Sequence, residues 1–527
     1  MKPMKPRKVV LVVPDGVGIR NFLYTRFLDL LAAGAETVEV VAWHVLPPSV
    51  LATQEGRAVR FEPLPYVREG LAARVFRQAK IYSQLHWRYE EDAAEVMLRF
   101  RRPSGGALSR TVGHAAHLLG RLVPTPDGAA WLDRSHAAAV SGGVGNGDLA
   151  PFETFLRRER PDVVFCTHQR ASRAVPALLA ARRLGIPTAT FIYSWDNLPK
   201  GRMAVHADRF LVWSEAMKAE LLLYYPEMDP RRVHVVGTPQ FEPHLDPALA
   251  RPRDEFLGGL GLDPARPVVC FSGDDEMTSP FDPAYLADLA QAMRALPEPP
   301  QILFRRSPVD VSGRYDGVLA RFPEIAVCDP AWRAGDGDWT QVAPLPGDLG
   351  LLANVARHCD AVVNLGSTMG MDFAVFDKPA VYVAYNPPGI GDRGDWDVMD
   401  LYRLPHFRCV HALQPVSWAR SAADLGDQVR RALDRPGERS EARARWLREI
   451  VAFPLDRASE RCAEALLERV RSSSNGRGAG CTARGRFRRR AGISESPRRL
   501  SVVPCSWSAR CGAAPPTSPA AWRTTRR

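Results

Sequence analysis

The turn Gly366-Ser367-Thr368, with Asp372 four residues further on, holds residue types that suit a phosphorylated nucleotide. It lies between a short apolar run, Ala361-Val362-Val363, and a segment from Met369 to Phe376 that reads as a helix stopped by Asp377-Lys378-Pro379. A helix start presents unpaired backbone N–H groups and a partial positive charge, which hold phosphate or diphosphate. Gly366 would let a ligand approach the backbone, beside two hydroxyls. Asp372 shares a helix face with Thr368 and could reach a ribose hydroxyl. The plainer alternative is that Ser367 or Thr368 is an ordinary helix cap.

Three residues of proton-transferring type follow predicted strand ends, where ligand sites of α/β proteins gather. Asp15 lies in the loop Pro14 to Asn21, His168 follows Asp162 to Thr167, and Asp196 sits in Ser194-Trp195-Asp196-Asn197. Either aspartate could instead cap or form a local turn. Trp195 would stack on a sugar or fill the core. The pairs Asp336-Asp338 and Asp395-Asp397 have the D-x-D spacing of metal-dependent sites, but they sit late, in Gly-rich loops. No metal site and no cofactor is expected.

The elements that would carry these residues alternate between strand and helix patterns. Lys8 to Val13 reads as a parallel-type strand, Phe22 to Ala33 as a helix and Thr37 to Trp43 as a strand, with no full G-x-G-x-x-G fingerprint because Asn21 stands at the third glycine position. Residues 60 to 150 break the alternation with helices over Leu71 to Phe100 and Thr111 to Val123, followed by a flexible loop from Ser141 to Asp148. This helical insert would recognise an acceptor, rest on a membrane surface, or simply cover the sheet. The alternation resumes with strands over Asp162 to Thr167, Pro187 to Tyr193, Arg209 to Trp213 and Val233 to Val236, then Pro267 to Ser272, Gln301 to Phe304 and Ile325 to Cys328. Ala380 to Ala384 is the last expected strand, and helices are expected over Leu349 to His358, Ser417 to Leu433 and Ser440 to Val470. A domain boundary is expected near Gly237 to Asp254.

With 527 residues, 46% hydrophobic and 24% charged, the chain has room for two or three globular domains. No apolar run approaches the ~20 residues of a membrane span. The start, MKPMKPRKVVLVVPDG, is read as an immediate first strand, so a cytoplasmic protein is expected. The net charge of +11 belongs to the tail: Ser472 to Arg527 holds twelve Arg and one Glu, which leaves 58 basic and 58 acidic residues elsewhere. A nucleic-acid partner is therefore not expected. The tail reads as disordered, either a frameshifted end or a basic interaction segment. The nine cysteines form no C-x-x-C pair and no zinc pattern.

The stretch Cys359 to Pro388, CDAVVNLGSTMGMDFAVFDKPAVYVAYNPP, resembles the donor-binding segment of GT-B glycosyltransferases. It also resembles the matching part of CDP-glycerol glycerophosphotransferases and of non-hydrolysing UDP-N-acetylglucosamine 2-epimerases. Arg160-Pro161-Asp162-Val163-Val164 is similar to a strand of GT-B N-domains, and Gly237-Thr238-Pro239-Gln240-Phe241 to the exit from that domain. Arg305 and Arg306 stand where related families carry a basic residue, although Ser307 replaces the His of their HP dipeptide. The resemblance implies two Rossmann-like domains facing a cleft: residues 1–240 with the insert at about 60–150, and residues 255–435. The helix 436–471 would bridge them, ahead of the tail 472–527. It implies a metal-independent glycosyltransferase with a nucleotide-sugar donor and a carbohydrate or lipid-linked acceptor from the cell envelope, a polysaccharide or a glycolipid. A polyol-phosphate transferase, a sugar-nucleotide epimerase and an inactive binding protein are the alternatives. Ser367, Thr368, Asp372 and Gly366 would hold the donor with Gly273, Arg305 and Arg306, and Asp15, His168 or Asp196 would be the base. A peripheral position at the inner face of the cell membrane is left open by the insert.

Overall fold

Apolar runs rich in Val, Phe and Ala form two parallel sheets. The first takes β1 Lys8–Val13, β2 Glu39–His44, β3 Val59–Pro63, β4 Val163–Cys166, β5 Thr188–Phe191, β6 Arg209–Val212 and β7 Val233–Val235, in the order β3-β2-β1-β4-β5-β6-β7. The second takes β8 Val268–Ser272, β9 Gln301–Arg305, β10 Ala326–Val327, β13 Ala361–Asn364, β14 Ala380–Val383 and β15 Ser417–Ala419, in the order β10-β9-β8-β13-β14-β15. Two short strands, β11 Trp332–Arg333 and β12 Ala343–Pro344, pair antiparallel on their own. The computed structural model describes residues 8–32, 38–54, 56, 59–142, 149–333, 342–390 and 396–468. The expected α/β architecture with a helical insert holds.

Both faces of each sheet are covered, so the central strands are buried along their length. In β1, Val9, Leu11 and Val13 join Phe22 and Phe27 on one face, while Val10 and Val12 join Phe152 and Leu156 on the other. That is the period-two alternation of a strand buried twice. Each sheet reverses its winding direction once, between β1 and β4 and between β8 and β13. Loops leaving the carboxyl ends of strands at such a reversal diverge and leave a crevice, where open α/β sheets bind ligands.

The insert between β3 and β4 is made of helices Leu71–Trp87, Ala94–Phe100, Ala107–Leu122 and Pro126–Ser141. The first and third approach closely at Gly120, where a Cβ would lie 2.6 Å from the Ala79 carbonyl. The insert also reaches the second sheet's side of the molecule: Arg408 Nη2 lies 3.1 Å from Asp92 Oδ1, and Glu95 pairs with Arg403.

Several expected boundaries shift. The single helix from Leu71 to Phe100 breaks after Trp87, and Ala93 turns through a left-handed φ of 47° before the second helix starts. The expected helix from Ser417 opens instead as β15, paired with β14, and a helix capped by Ser421 follows over Ala422–Asp434. The segment from Ser440 is two helices, Ser440–Ile450 and Ala458–Leu467, joined through a cis Phe453-Pro454 bond. The first packs near Asp377, whose carboxylate accepts from Arg443 Nε at 2.8 Å. The second lies along the helix Phe27–Ala32, with Arg26 Nη2 3.0 Å from Glu460. The chain before Phe27 is not one helix from Phe22, because Gly16–Leu23 winds as separate turns. The readings for Ala33, Thr37, the loop Gly143 to Asp148, Val470 and the tail lie outside the described residues.

Candidate functional site

The loops after β1 and β4 are neighbours because those strands are paired, and they bring Asp15 against His168. Asp15 Oδ1 accepts from the Gly18 N–H at 2.9 Å, which caps the turn Gly16–Gly18. Its Oδ2 contacts His168 Nδ1 directly. The two residues are 1% and 3% exposed. Burial alone would raise the Asp15 carboxyl, but the His168 charge, its hydrogen bond and the amides of Gly18 and Val17 outweigh that and hold it below the usual carboxylate range. The Tyr193 ring lies against the imidazole with centroids 3.8 Å apart. The pair opens on a cavity of about 480 Å³ lined by Tyr66, Glu69, Arg170 and Tyr193 among others.

The same loop reaches the β11–β12 pair. A Cβ on Gly16 would lie 2.2 Å from the Val342 carbonyl and 2.9 Å from the Trp332 ring, so only glycine permits that approach. Tyr24 donates its hydroxyl proton to the Pro344 carbonyl at 3.0 Å. Arg20, also from this loop, is lowered first by burial. It is favoured by the charges of Asp372 and Asp348 and opposed by Arg305, all from the second sheet's half. Charges of the second sheet's half therefore act on Arg20, whose own side-chain bonds go to Asn21 Oδ1 at 3.0 Å and Gln240 Oε1 at 3.4 Å.

At the second reversal, the Asn364 side chain ties the turn after β13. Its Oδ1 accepts from the N–H of Gly366 at 2.9 Å and of Ser367 at 3.2 Å. Gly366 takes φ +84°, and the space beside its α-carbon is filled by Phe407 and Tyr402. Ser367 Oγ accepts from the Met369 N–H at 3.4 Å, so the cap role belongs to Ser367, while the Thr368 side chain makes no capping bond. Asp372, 4% exposed, lies in the helix Met369–Ala374 with its Oδ1 3.1 Å from Nε2 of His244.

Arg305 ends β9 and is buried in an ion pair, Nη2 to Asp348 Oδ1 at 2.9 Å. Asp348 also accepts from the Ala331 N–H at 2.9 Å and from Trp332 Nε1 at 2.7 Å, so one carboxylate fixes both the arginine and the start of β11. Arg306 turns outward to Asp329. Gly273 donates its N–H to the Arg305 carbonyl at 2.9 Å, and its α-carbon faces the Tyr315 hydroxyl.

Asp196 has its own set of partners. Its carboxylate accepts from Ser194 Oγ at 2.6 Å and Asn197 Nδ2 at 2.8 Å and pairs with Lys200. Burial pushes the carboxyl up, but the charges of Lys200 and His406 and these hydrogen bonds outweigh it and hold the group far below its ordinary range. Trp195 packs edge-on against His406, centroids 4.9 Å apart, and is 6% exposed, so it fills the core. Asp397 caps the helix Val398–Tyr402, while Asp336, Asp338 and Asp395 lie outside the described residues.

Sequence reasoning named Asp15 and His168 separately and missed their contact. The signal was available in strand order, since an open sheet that reverses beside its first strand pairs the loops after those two strands. Arg20, His244, Asp348 and Tyr193 were also missed, and only Arg20, within the Asp15 loop, carried a local sequence signal.

Residues 110–239 match the glycosyltransferase family 4 profile. A 73-residue segment is 40% identical to the alpha-maltose-1-phosphate synthase of Mycolicibacterium smegmatis, covering 14% of this chain and 19% of that protein. The chain thus spans about a fifth of the curated relative it matches. Similar solved structures include the UDP-GlcNAc 2-epimerase of Methanocaldococcus jannaschii, at 11% identity, over 87% of this chain and 99% of that one, with a TM-score of 0.48. They also include a glycosyltransferase from Rickettsia africae, at 11% identity over 87% and 97% with a TM-score of 0.44. A spinosyn rhamnosyltransferase complexed with thymidine diphosphate matches at 14% identity over 87% and 100%, with a TM-score of 0.42. The chain is similar to GT-B glycosyltransferases and to UDP-GlcNAc 2-epimerases, as its motifs suggested.

Proposed function

We propose that the chain is a nucleotide-sugar-dependent glycosyltransferase. The observation that carries this reading is that each sheet bears a candidate site at a strand end: the Asp15–His168 carboxylate–imidazole pair on the first, and a hydroxyl-bearing turn followed by Asp372 on the second. Thr368 and Ser367 hold the diphosphate of the donor, and Asp372 holds the ribose. His168 takes the proton of the acceptor hydroxyl as its oxygen attacks the anomeric carbon, and Asp15 orients the ring and stabilises the imidazolium. The nucleoside diphosphate leaves, and Arg20 and Arg305 stabilise its charge in place of a metal. The family 4 match supports the reaction class.

The acceptor belongs to the cell envelope, a polysaccharide or a glycolipid, and the enzyme works at the inner face of the cell membrane. Supporting this, the insert helix Ala107–Leu122 exposes Leu108, Leu118 and Leu122 along one stripe beside Arg110 and Arg121. An apolar stripe flanked by arginines suits an interfacial helix. Among the described residues, no helix is long and apolar enough to cross a membrane.

The test incubates the full chain with a panel of nucleotide sugars and extracts containing acceptors. Release of nucleoside diphosphate that depends on the acceptor is the expected result. Release of CMP would indicate polyol-phosphate transfer, interconversion without acceptor an epimerase, and binding without turnover an inactive binding protein.

A further inference from the structure

A second cavity, of about 300 Å³, lies within the helical insert, between the helices Leu71–Trp87 and Ala107–Leu122 and the turn after Phe100. Arg74, Arg77, Arg101 and Arg102 line it together with Ser104 and Ser109. One carboxylate serves this cluster: Glu69 holds Arg77 in a two-point contact, at 2.6 Å to Nε and 2.8 Å to Nη2. Arg74 Nη2 donates to Ser109 Oγ at 2.9 Å, and Arg101 Nη2 to the Lys200 carbonyl at 3.0 Å. Among the described residues, Arg74, Arg101 and Arg102 form no ion pair, and the Nε of Arg101 is buried without a hydrogen-bond partner. No acidic residue occurs from Val96 to Pro126. Burial, then the charge of Arg170, pushes Arg101 down to about 10. Like charges gathered around a cavity, with a buried donor left over, favour an anion there.

We propose that this cavity is a phosphoryl-binding subsite that takes the phosphate or diphosphate of the acceptor. The arginine fork matches phosphate oxygens in pairs, and the two serines add hydroxyl donors. The subsite stands next to the candidate catalytic cavity: Glu69, which holds Arg77, lines that cavity, as does Arg170, whose charge acts on Arg101. An acceptor anchored by phosphate in the insert would extend its hydroxyl toward His168. The acceptor role rests on the transferase reading, whereas the anion site itself does not.

The test is calorimetric titration of the full chain with inorganic pyrophosphate, for the wild type, R74Q/R102Q, R102Q alone and T368A. Arg102 is exposed and Arg74 partly so, which lets these variants fold. The double variant is expected to weaken pyrophosphate binding at least tenfold and R102Q by a smaller factor, both with the melting temperature unchanged, while binding at this subsite survives in T368A. UDP affinity should show the reverse pattern, so a failure of the donor reading leaves the arginine result standing. Sedimentation with phosphatidylcholine vesicles containing phosphatidylglycerol separates the sources of phosphate. Binding that pyrophosphate displaces assigns the subsite to a lipid-borne phosphate, and pyrophosphate binding without vesicle binding assigns it to a soluble phosphorylated acceptor. Pyrophosphate affinity unchanged in both arginine variants, or absent from the wild type, overturns the proposal.

Discussion

Asp15 Oδ2 and His168 Nδ1 are in direct contact, although the residues stand 153 positions apart in the chain. Only the pairing of β1 with β4 brings them together. The contact joins the two residues into one unit, in which the carboxylate fixes the orientation of the ring.

Replacing Asp15 by Asn keeps an acceptor for the Gly18 N–H but removes the charge beside the imidazole. Turnover with a nucleotide sugar and acceptor should fall by roughly 10²–10⁴-fold, the range of general base catalysis, with little change in KM. Steady-state kinetics of D15N check this, and an unchanged kcat would leave the pair a structural feature.

Gly16 meets the second half of the molecule at van der Waals limits. The Cβ of Gly16→Ala would press on the Val342 carbonyl, a backbone atom that cannot swing away. A loss of about 1–3 kcal/mol is expected, read as a lower melting temperature. An unaltered melting temperature would show that this contact is not kept in solution.

Asp348 satisfies three donors, one of them the buried Arg305. Asp348→Ala leaves that guanidinium buried without its partner, a change that costs about 3–5 kcal/mol. The double replacement R305M/D348L removes both charges and should recover the part of the loss that comes from the unpaired guanidinium, while the Ala331 and Trp332 donors stay without their acceptor. Denaturant unfolding of the three proteins measures the difference, and a double variant as unstable as D348A would contradict this account of the pair.

Much of the fold was legible because each central strand is buried on both faces, and such strands read as unbroken apolar runs, as in Lys8–Val13 and Val268–Ser272. β3 escaped notice because its pattern, Val59-Arg60-Phe61-Glu62-Pro63, is that of a half-exposed edge strand. β15 was hidden by the helix that follows it three residues later. In the candidate site, residue types at strand ends were readable, but partners were not. Nothing local in the sequence says that Asn364 occupies the Gly366 and Ser367 amides, or that Phe407 fills the space beside Gly366.

Glu220 supplies a pH prediction. Burial, then the charge of Asp92, pushes its carboxyl up to about 8, against the pull of Arg408. The folded chain then holds a proton that the unfolded chain releases near pH 4.5. Stability from this group is present at low pH and is lost as pH rises toward about 8. Glu220→Gln should therefore raise stability by on the order of 1–3 kcal/mol at alkaline pH and change it little in acid. Melting curves across that range test it, and an equal shift at every pH would rule the ionisation out.

The central claim is that a nucleoside diphosphate binds at the turn after β13, and the most direct measurement is UDP affinity by calorimetry for the wild type and Thr368→Ala. The Thr368 hydroxyl makes no capping bond, so its removal should leave the melting temperature in place. It should weaken UDP by about fivefold or more, the loss of ~1 kcal/mol expected for a hydrogen bond to a charged group. A lowered melting temperature with UDP affinity intact would contradict the account, because Thr368 would then serve the fold alone.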